Sequence, residues 1–167
     1  PITPSETLSV LRDTAAQGGV EIPDGVLTDA ATLTRGYPFL IQLLGYHLFE
    51  RANRRDQPVS HDDLAAVTPD VLKTLGDLVH EPALLHLPAA ELEYLEAMAE
   101  VQEDQQAVPS AAIAQHMGKR VQQVSMVRQK LIDRELIYSP RRGLLNFVIP
   151  HMGHHLNQRA TRDTGWD

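Results

Sequence analysis

The feature that most constrains the fold is a change in the spacing of apolar residues between positions 110 and 149. A short helical pattern ends at Gly118, and a longer one, with apolar residues at helical intervals, runs from Val121 to Leu136. The residues that follow can pair as two short strands around the turn Pro140-Arg141-Arg142-Gly143. Two helices separated by a tight turn and followed by a β-hairpin form the pattern of a winged helix-turn-helix.

The same stretch is the basic part of an acidic chain. Residues 119–142 contain seven Lys or Arg and two Asp or Glu, a net charge of +5, whereas the 167-residue chain has a net charge of −7, which leaves −12 for the rest. An acidic protein repels phosphate at long range, which argues against nonspecific binding of polyanions. A concentrated basic patch can still form a local footprint on DNA.

The longer helix is predicted to present polar side chains opposite its apolar stripe. At about 100° per residue, Gln122, Ser125, Met126 and Gln129 lie on the side away from Val124, Val127 and Leu131. Gln and Arg have the donor geometry for adenine and guanine edges, and arginines in a hairpin can reach phosphate or the minor groove. The candidate DNA-binding residues are Lys119, Arg120, Gln122, Gln123, Ser125, Gln129, Arg141 and Arg142.

The first half of the chain predicts a bundle of four helices within residues 1–81. The helix after Pro38 is apolar around most of its circumference, which is typical of a buried helix. Ser60, with Asp63 three residues later, is predicted to cap the fourth helix, and Pro69 is expected to kink or split it.

Two domains are therefore expected in a mainly α fold. Residues 1–81 form the helical domain, residues 82–88 form a proline-bounded joint, and residues 89–167 form the winged-helix domain with a C-terminal helix or tail. Glutamates of the first helix after the joint form an acidic face, which solvation explains; they are Glu91, Glu93, Glu96 and Glu100.

Several classes of function are disfavoured by composition. The chain has no Cys, so it has no disulfide framework and no thiolate ligand or nucleophile. No apolar run approaches the roughly 20 residues needed to span a bilayer, and a cytoplasmic protein is expected. His151, His154 and His155 are interpreted as part of a polar helix face, and we expect no metal site.

One segment resembles a known family. The sequence Thr34-Arg35-Gly36-Tyr37-Pro38-Phe39-Leu40-Ile41-Gln42-Leu43-Leu44-Gly45-Tyr46-His47 resembles a stretch of P-loop ATPases of the AAA+ and signal-transduction kind, including archaeal and actinobacterial ATP-binding proteins. Such proteins have a nucleotide-binding α/β core, a helical lid and often a C-terminal winged helix. The resemblance covers nearly the whole chain, because residues 1–80 resemble the lid and residues 88–150 resemble the winged helix.

The resemblance implies that one turn of the chain approaches the base or ribose of a bound nucleotide. The nucleotide-proximal candidates are Arg35, Gly36, Tyr37, Pro38 and Gln42. Phe39 stands where the AAA+ pattern has an Arg. The phosphate-binding motif Gly-x-x-x-x-Gly-Lys-Ser/Thr does not occur, so we expect no catalytic residues and no ATP hydrolysis by this chain.

The leading hypothesis is the C-terminal fragment of an ATP-binding protein. Its partner would be its own N-terminal ATPase core, missing here, and its cofactors ATP and Mg²⁺ would be bound in the full-length protein. The lid would couple nucleotide state to DNA contact by the winged helix. Two alternatives stay open: a winged helix that docks on protein or makes a homo-oligomer, and a freestanding transcription regulator that senses a small ligand in its helical bundle.

Overall fold

Helices dominate the computed structural model, which describes residues 3–55 and 57–163 apart from the side chains of Pro4, Arg55 and Asp163. The helices are α1 (Pro4–Gln17), α2 (Asp24–Thr34), α3 (Pro38–Arg55), α4 (His61–Leu75), α5 (Glu81–Leu84), α6 (Ala89–Val101), α7 (Ser110–His116), α8 (Ser125–Asp133) and α9 (Met152–Asp163). The strands are β1 (Val108–Pro109), β2 (Ile137–Tyr138) and β3 (Leu144–Phe147). The prediction of a mainly helical chain with a short β-hairpin is confirmed. Within the described ranges, no helix has the length and apolar character needed to cross a bilayer.

The core of the N-terminal half of the chain is built around α3. Leu40, Leu44 and Leu48, spaced four residues apart on this helix, are fully buried. This agrees with the burial predicted from the apolar sequence of α3. Tyr46 is the exception, since it is largely exposed.

The predicted cap of α4 is present. The Ser60 Oγ donates to Asp63 Oδ2 over 2.9 Å, and the Asp63 amide donates back to Ser60 Oγ. The same carboxylate accepts from Arg51 Nε of α3 over 2.5 Å, so the cap also joins two helices. Pro69 lies inside α4, which continues to Leu75, so the expected split does not occur.

The chain divides into two compact units between Leu75 and Gly76, before the sequence-predicted joint at residues 82–88. A π-helical turn, Gly76–His80, and α5 both belong to the second unit. The reason is a set of polar contacts with the C-terminal part of the same unit: His80 bonds to the carbonyl of Pro150, and Glu81 bonds to His155.

The second unit contains a small antiparallel sheet, whose strands lie in the order β1-β3-β2. Ile137 pairs with Phe147 across the hairpin, and Val108 pairs with Leu145 on the other side of β3. The hairpin was predicted, but β1 was not, because a strand of two residues is too short to show alternation. The core below the sheet includes the fully buried Tyr94, Leu95, Met98, Ile113, Leu131 and Ile137.

The helix predicted from Val121 to Leu136 is shorter in the structure. Its first four residues, Val121–Val124, form a 3-10 turn, and α8 covers only the next nine residues. The side chain of Gln123 folds back and accepts a hydrogen bond from the amide of Arg120 over 2.7 Å. This contact satisfies a donor that the start of the helix would otherwise leave without a partner.

The end of α8 is a Schellman motif with an unfavourable residue in it. The amide of Leu136 donates to the carbonyl of Leu131, and the amide of Glu135 donates to that of Ile132. Glu135 therefore takes a left-handed conformation, with φ 57°. The helix α7 ends in the same way, but there the left-handed residue is Gly118, with φ 65°.

We expect Glu135→Gly to stabilise the protein by about 0.5–1 kcal/mol, because glycine adopts the left-handed region without the clash of a Cβ atom. Urea denaturation followed by circular dichroism measures the change. The matched control is Gly118→Ala, which places a Cβ atom in the same position of the motif and should destabilise. A loss of stability in Glu135→Gly would contradict this account of the turn.

Candidate nucleic-acid interface

The 3-10 turn Val121–Val124 and α8 together form the α8 segment. Polar atoms of three predicted DNA-binding residues on this segment have partners within the protein. The Gln123 side chain caps the 3-10 turn, Ser125 Oγ donates to the carbonyl of Gln122 over 2.8 Å, and Gln129 Nε2 donates to Asp133 Oδ1 over 2.8 Å. Within the described part of the chain, the side chain of Gln122 is exposed and has no such partner. The structure thus leaves Gln122 as the amide most available for an external ligand.

Glutamates of the acidic face of α6 lie beside basic residues, which the sequence analysis did not foresee. Glu93 Oε1 lies 3.1 Å from Lys119 Nζ, and Glu100 Oε2 lies 2.5 Å from His116 Nε2. Both partners belong to α7 or to the turn after it. Both carboxylates are about half exposed, in agreement with the interpretation that solvation explains them, but the contact with Glu93 offsets the charge of Lys119. For Glu91, which is buried, that interpretation is wrong.

Glu91 makes a third ion pair, and this one is buried. Its carboxylate is almost fully buried, and Oε2 lies 2.8 Å from Arg134 Nε, without the alignment of a hydrogen bond. Glu91 also lies in the first turn of α6, where the helix dipole favours a negative charge. The pair joins the start of α6 to the residue that follows α8.

Three predicted arginines remain exposed without an ion-pair partner among the described residues: Arg120, Arg141 and Arg142. Two of them lie in the turn between β2 and β3, which is held in place by several hydrogen bonds. Ser139 Oγ donates to the carbonyl of Arg141 over 2.7 Å, and the amide of Leu144 donates to the same oxygen. The hairpin tip is therefore a fixed cationic feature.

The hairpin tip and the start of the α8 segment lie at opposite ends of α7. The amide of Ser110, the first residue of α7, donates to the carbonyl of Gly143 over 2.8 Å. At the other end, the amide of Lys119 donates to the carbonyl of Ala114. Because seven helical residues extend about 10 Å, the two cationic regions adjoin points of α7 that are about that distance apart.

The five predicted nucleotide-proximal residues come together in the first unit. Arg35 and Gly36 have left-handed backbones, with φ 49° and 68°, and link α2 to α3. Tyr37 follows half-buried, and its amide donates to the carbonyl of Thr34 over 2.9 Å. Pro38 begins α3, and Gln42 lies exposed one helical turn later. The cluster predicted from the resemblance is thus contiguous in space.

An apolar groove lies beside Gln42, and the sequence analysis did not find it. It has a volume of about 430 Å³ and runs between α1 and α3. Its lining residues are Val10, Leu11, Thr14, Ala15, Gly18, Val20, Ile22, Ile41, Gln42, Gly45, Tyr46 and Phe49. Such a lining suits an apolar ligand or side chain better than a phosphate group.

A buried histidine cluster in the second unit was also missed. His80 is almost fully buried, its Nε2 donates to the carbonyl of Pro150 over 2.9 Å, and its Nδ1 has no hydrogen-bond partner. Its ring lies 4.9 Å from that of His155, whose Nε2 donates to Glu81 Oε1 over 2.9 Å. Burial lowers the pKa of His80 to about 4, and the neighbouring His155 and His151 add to the decrease.

The other two histidines of the predicted polar face also have partners. The Gln105 side chain donates to His151 Nδ1 over 3.0 Å, and that of Gln158 donates to His154 Nε2 over 2.9 Å. Within the described ranges, no group of three or more His, Asp or Glu side chains is arranged to hold a metal ion.

We expect the stability of the second unit to decrease as the pH falls from about 6.5 to about 4. Unfolded His80 takes up a proton near pH 6.5, whereas folded His80 takes it up only near pH 4, so acid favours the unfolded state. The loss reaches about 3 kcal/mol at most. Urea denaturation over a pH series measures it.

The control for this prediction is His80→Gln, whose amide can still donate to the carbonyl of Pro150 but does not titrate. The other charged or titratable groups around the site, Glu81, His151, His155 and Arg159, are present in both proteins. The variant should therefore show a shallower dependence of stability on pH between 6.5 and 4. An identical slope in the two proteins would rule out His80 as the source.

Comparison with known proteins gives one family match. A model described as "Domain of unknown function (DUF8462)" matches residues 77–156, a range that begins one residue after the start of the second unit. No curated protein matches the sequence.

Among solved structures, the chain is similar to RuvB of Thermotoga maritima, described in one case as a Holliday junction branch migration motor and in two cases as a point variant. The identities are 20%, 18% and 20%, and the alignments cover 93%, 99% and 93% of this chain. They cover 49%, 49% and 48% of the RuvB chains, so this chain spans about half their length. The TM-scores are 0.39, 0.37 and 0.38, values that do not establish a shared fold.

Proposed function

We propose that the second unit is a winged helix-turn-helix that binds double-stranded DNA. The order α6-β1-α7-α8-β2-β3 supports this proposal, since it supplies three helices, a hairpin after the third and a sheet that closes on β1. In this assignment α7 and α8, separated by the turn at Gly118, are the helix-turn-helix, and the loop between β2 and β3 is the wing.

The main support for the proposal is the pair of arginines at the wing tip. Arg141 and Arg142 are exposed on a turn fixed by hydrogen bonds and have no carboxylate partner in the described part of the chain. Arg120 is similarly exposed at the start of the α8 segment. Exposed guanidinium groups suit phosphate oxygens, and contacts with phosphate fix the position of a protein on DNA.

We further propose that the chain is the C-terminal part of a cytoplasmic ATP-binding protein. The support is the resemblance of residues 34–47 to P-loop ATPases, together with the order along the chain, in which a helical unit precedes the unit with the β-hairpin. The first unit would be the lid, with Arg35, Gly36, Tyr37, Pro38 and Gln42 facing a nucleotide held mainly by the core. ATP, Mg²⁺ and the core would be the cofactors and partner of the full-length protein.

Docking on protein is the second candidate for the winged-helix surface. Two observations favour it. Ion pairs with α6 already neutralise Lys119 and Arg134. Large apolar side chains of this unit are also exposed, namely Leu78, Leu85, Met126, Tyr138 and Val148. A homo-oligomer is one form of such docking.

A freestanding regulator that senses a small ligand is the remaining alternative. The apolar groove of the first unit is the feature that such a regulator would use to bind its ligand.

We expect weak binding to nonspecific DNA, with a dissociation constant of about 10⁻⁴ to 10⁻⁶ M at physiological salt. Changing Arg141 and Arg142 together to Ala should weaken binding to all sequences and flatten the salt dependence by about one unit of logarithmic slope per lost phosphate contact. Glu93→Gln should strengthen binding, because it releases Lys119. Fluorescence anisotropy over a salt series measures these effects.

The matched control changes Arg12 and Arg54 to Ala, which removes the same charge from exposed positions of the first unit. If the two double variants weaken binding equally, the net charge of the protein determines the affinity, and a specific contact at the wing does not. If low-salt binding is absent, or is unaffected when Arg120, Arg141 and Arg142 are all changed, the wing does not contact DNA. Protein docking would then be the better assignment.

We also propose that this chain is not itself an enzyme, because the sequence contains no phosphate-binding loop. Phosphate release from Mg-ATP should stay at background in a steady-state assay, and Arg35→Ala should leave that background unchanged. Turnover that a point substitution in this chain abolishes would contradict the proposal.

A further inference from the structure

We propose that Met126 is a specificity-determining residue that contacts the 5-methyl group of a thymine in the major groove, with Gln122 reading a nearby adenine. This inference rests on the DNA binding proposed above and adds the class of sequence bound. It predicts that the preferred DNA contains A·T pairs at the positions that face the start of α8.

The exposure of Met126 is the first support. Its side chain is 73% exposed, the largest value among the exposed large apolar residues that the structure describes. Met126 is the second residue of α8, in the part of a recognition helix that comes closest to base edges. A long, flexible thioether held in water at this position gains by contact with an apolar group.

The second support is that neighbouring polar side chains are already engaged. Gln123 caps the segment, Ser125 bonds to the carbonyl of Gln122, and Gln129 bonds to Asp133. Gln122, four residues before Met126, is exposed and keeps its amide available. A Gln amide can pair with adenine through N6 and N7, so the two available side chains match the two bases of A·T pairs.

The surroundings of Met126 favour DNA over a protein partner. The exposed residues at helical spacing from it, Gln122, Gln129 and Lys130, are polar or basic, so Met126 is a single apolar group among donors. A thymine methyl group is likewise a single apolar group among acceptors on the floor of the major groove. An apolar protein surface would instead require apolar neighbours on this face of α8.

The experiment uses the full chain and two duplexes of identical A·T-rich sequence, one with thymine and one with deoxyuridine, which lacks only the 5-methyl group. A G·C duplex of the same length is the third probe. We expect the thymine duplex to bind about threefold to fivefold more tightly than the uracil duplex, the effect of one buried methyl group. Fluorescence anisotropy at low salt measures all three affinities.

Two variants separate the contributions. Met126→Gln should bind the thymine and uracil duplexes equally, whereas Gln122→Ala should keep the preference for thymine over uracil and lose part of the preference for A·T over G·C. Because both side chains are exposed, their urea midpoints should match that of the parent protein. The parallel Met126→Gln measurement also removes any effect of uracil on the stiffness of the duplex.

The experiment separates a failure of this inference from a failure of the proposed DNA binding. Binding that depends on Arg141 and Arg142 but is equal for thymine and uracil duplexes overturns this inference and leaves the wing contact standing. Discrimination that persists in Met126→Gln also overturns it. Absence of binding to every duplex overturns the proposed DNA function together with this inference. If Met126→Gln instead lowers self-association in analytical ultracentrifugation without changing DNA affinity, the residue belongs to a protein interface.

Discussion

The three ion pairs that α6 makes with the following helices organise the second unit. Glu93 and Glu100 hold the end of α7 and the turn after it, and Glu91 holds Arg134 just beyond α8. Removing Arg134 would leave the buried Glu91 carboxylate without a compensating charge, which is costly. The buried end of this pair therefore adds to the apolar contacts that pack α6 against the helix-turn-helix.

The same contacts reduce the positive charge at the surface of the second unit. The residues that stabilise the packing also withdraw Lys119 and Arg134 from the positive patch that the sequence suggested. The remaining exposed cationic groups of residues 119–142 are Arg141 and Arg142 at the wing tip, Arg120 before α8 and Lys130 on α8. Any DNA contact consequently depends more on a few exposed cationic side chains than on the net charge of the unit.

Features determined by neighbouring residues could be predicted from the sequence. The Ser60 cap, the burial of α3 and the β2–β3 hairpin depend on short spacings, and the structure contains all three. Ion pairs between Glu91 and Arg134, or the packing of His80 against Pro150, join residues far apart along the chain and leave no periodic signal. Of the candidate DNA-binding side chains, the sequence identified the exposed positions, but it could not identify those whose polar atoms bond internally.

The hydrogen-bonded turn at the wing tip has a kinetic consequence. Backbone atoms of Ser110, Gly143 and Leu144 fix the loop during folding, so its conformational entropy is lost before any ligand arrives. A cationic loop that is already ordered needs no rearrangement after encounter, and its complexes should differ mainly in how fast they dissociate. Loosening the turn by changing Ser139, whose hydroxyl bonds to Arg141, would therefore shorten the lifetime of a complex without removing a single charge.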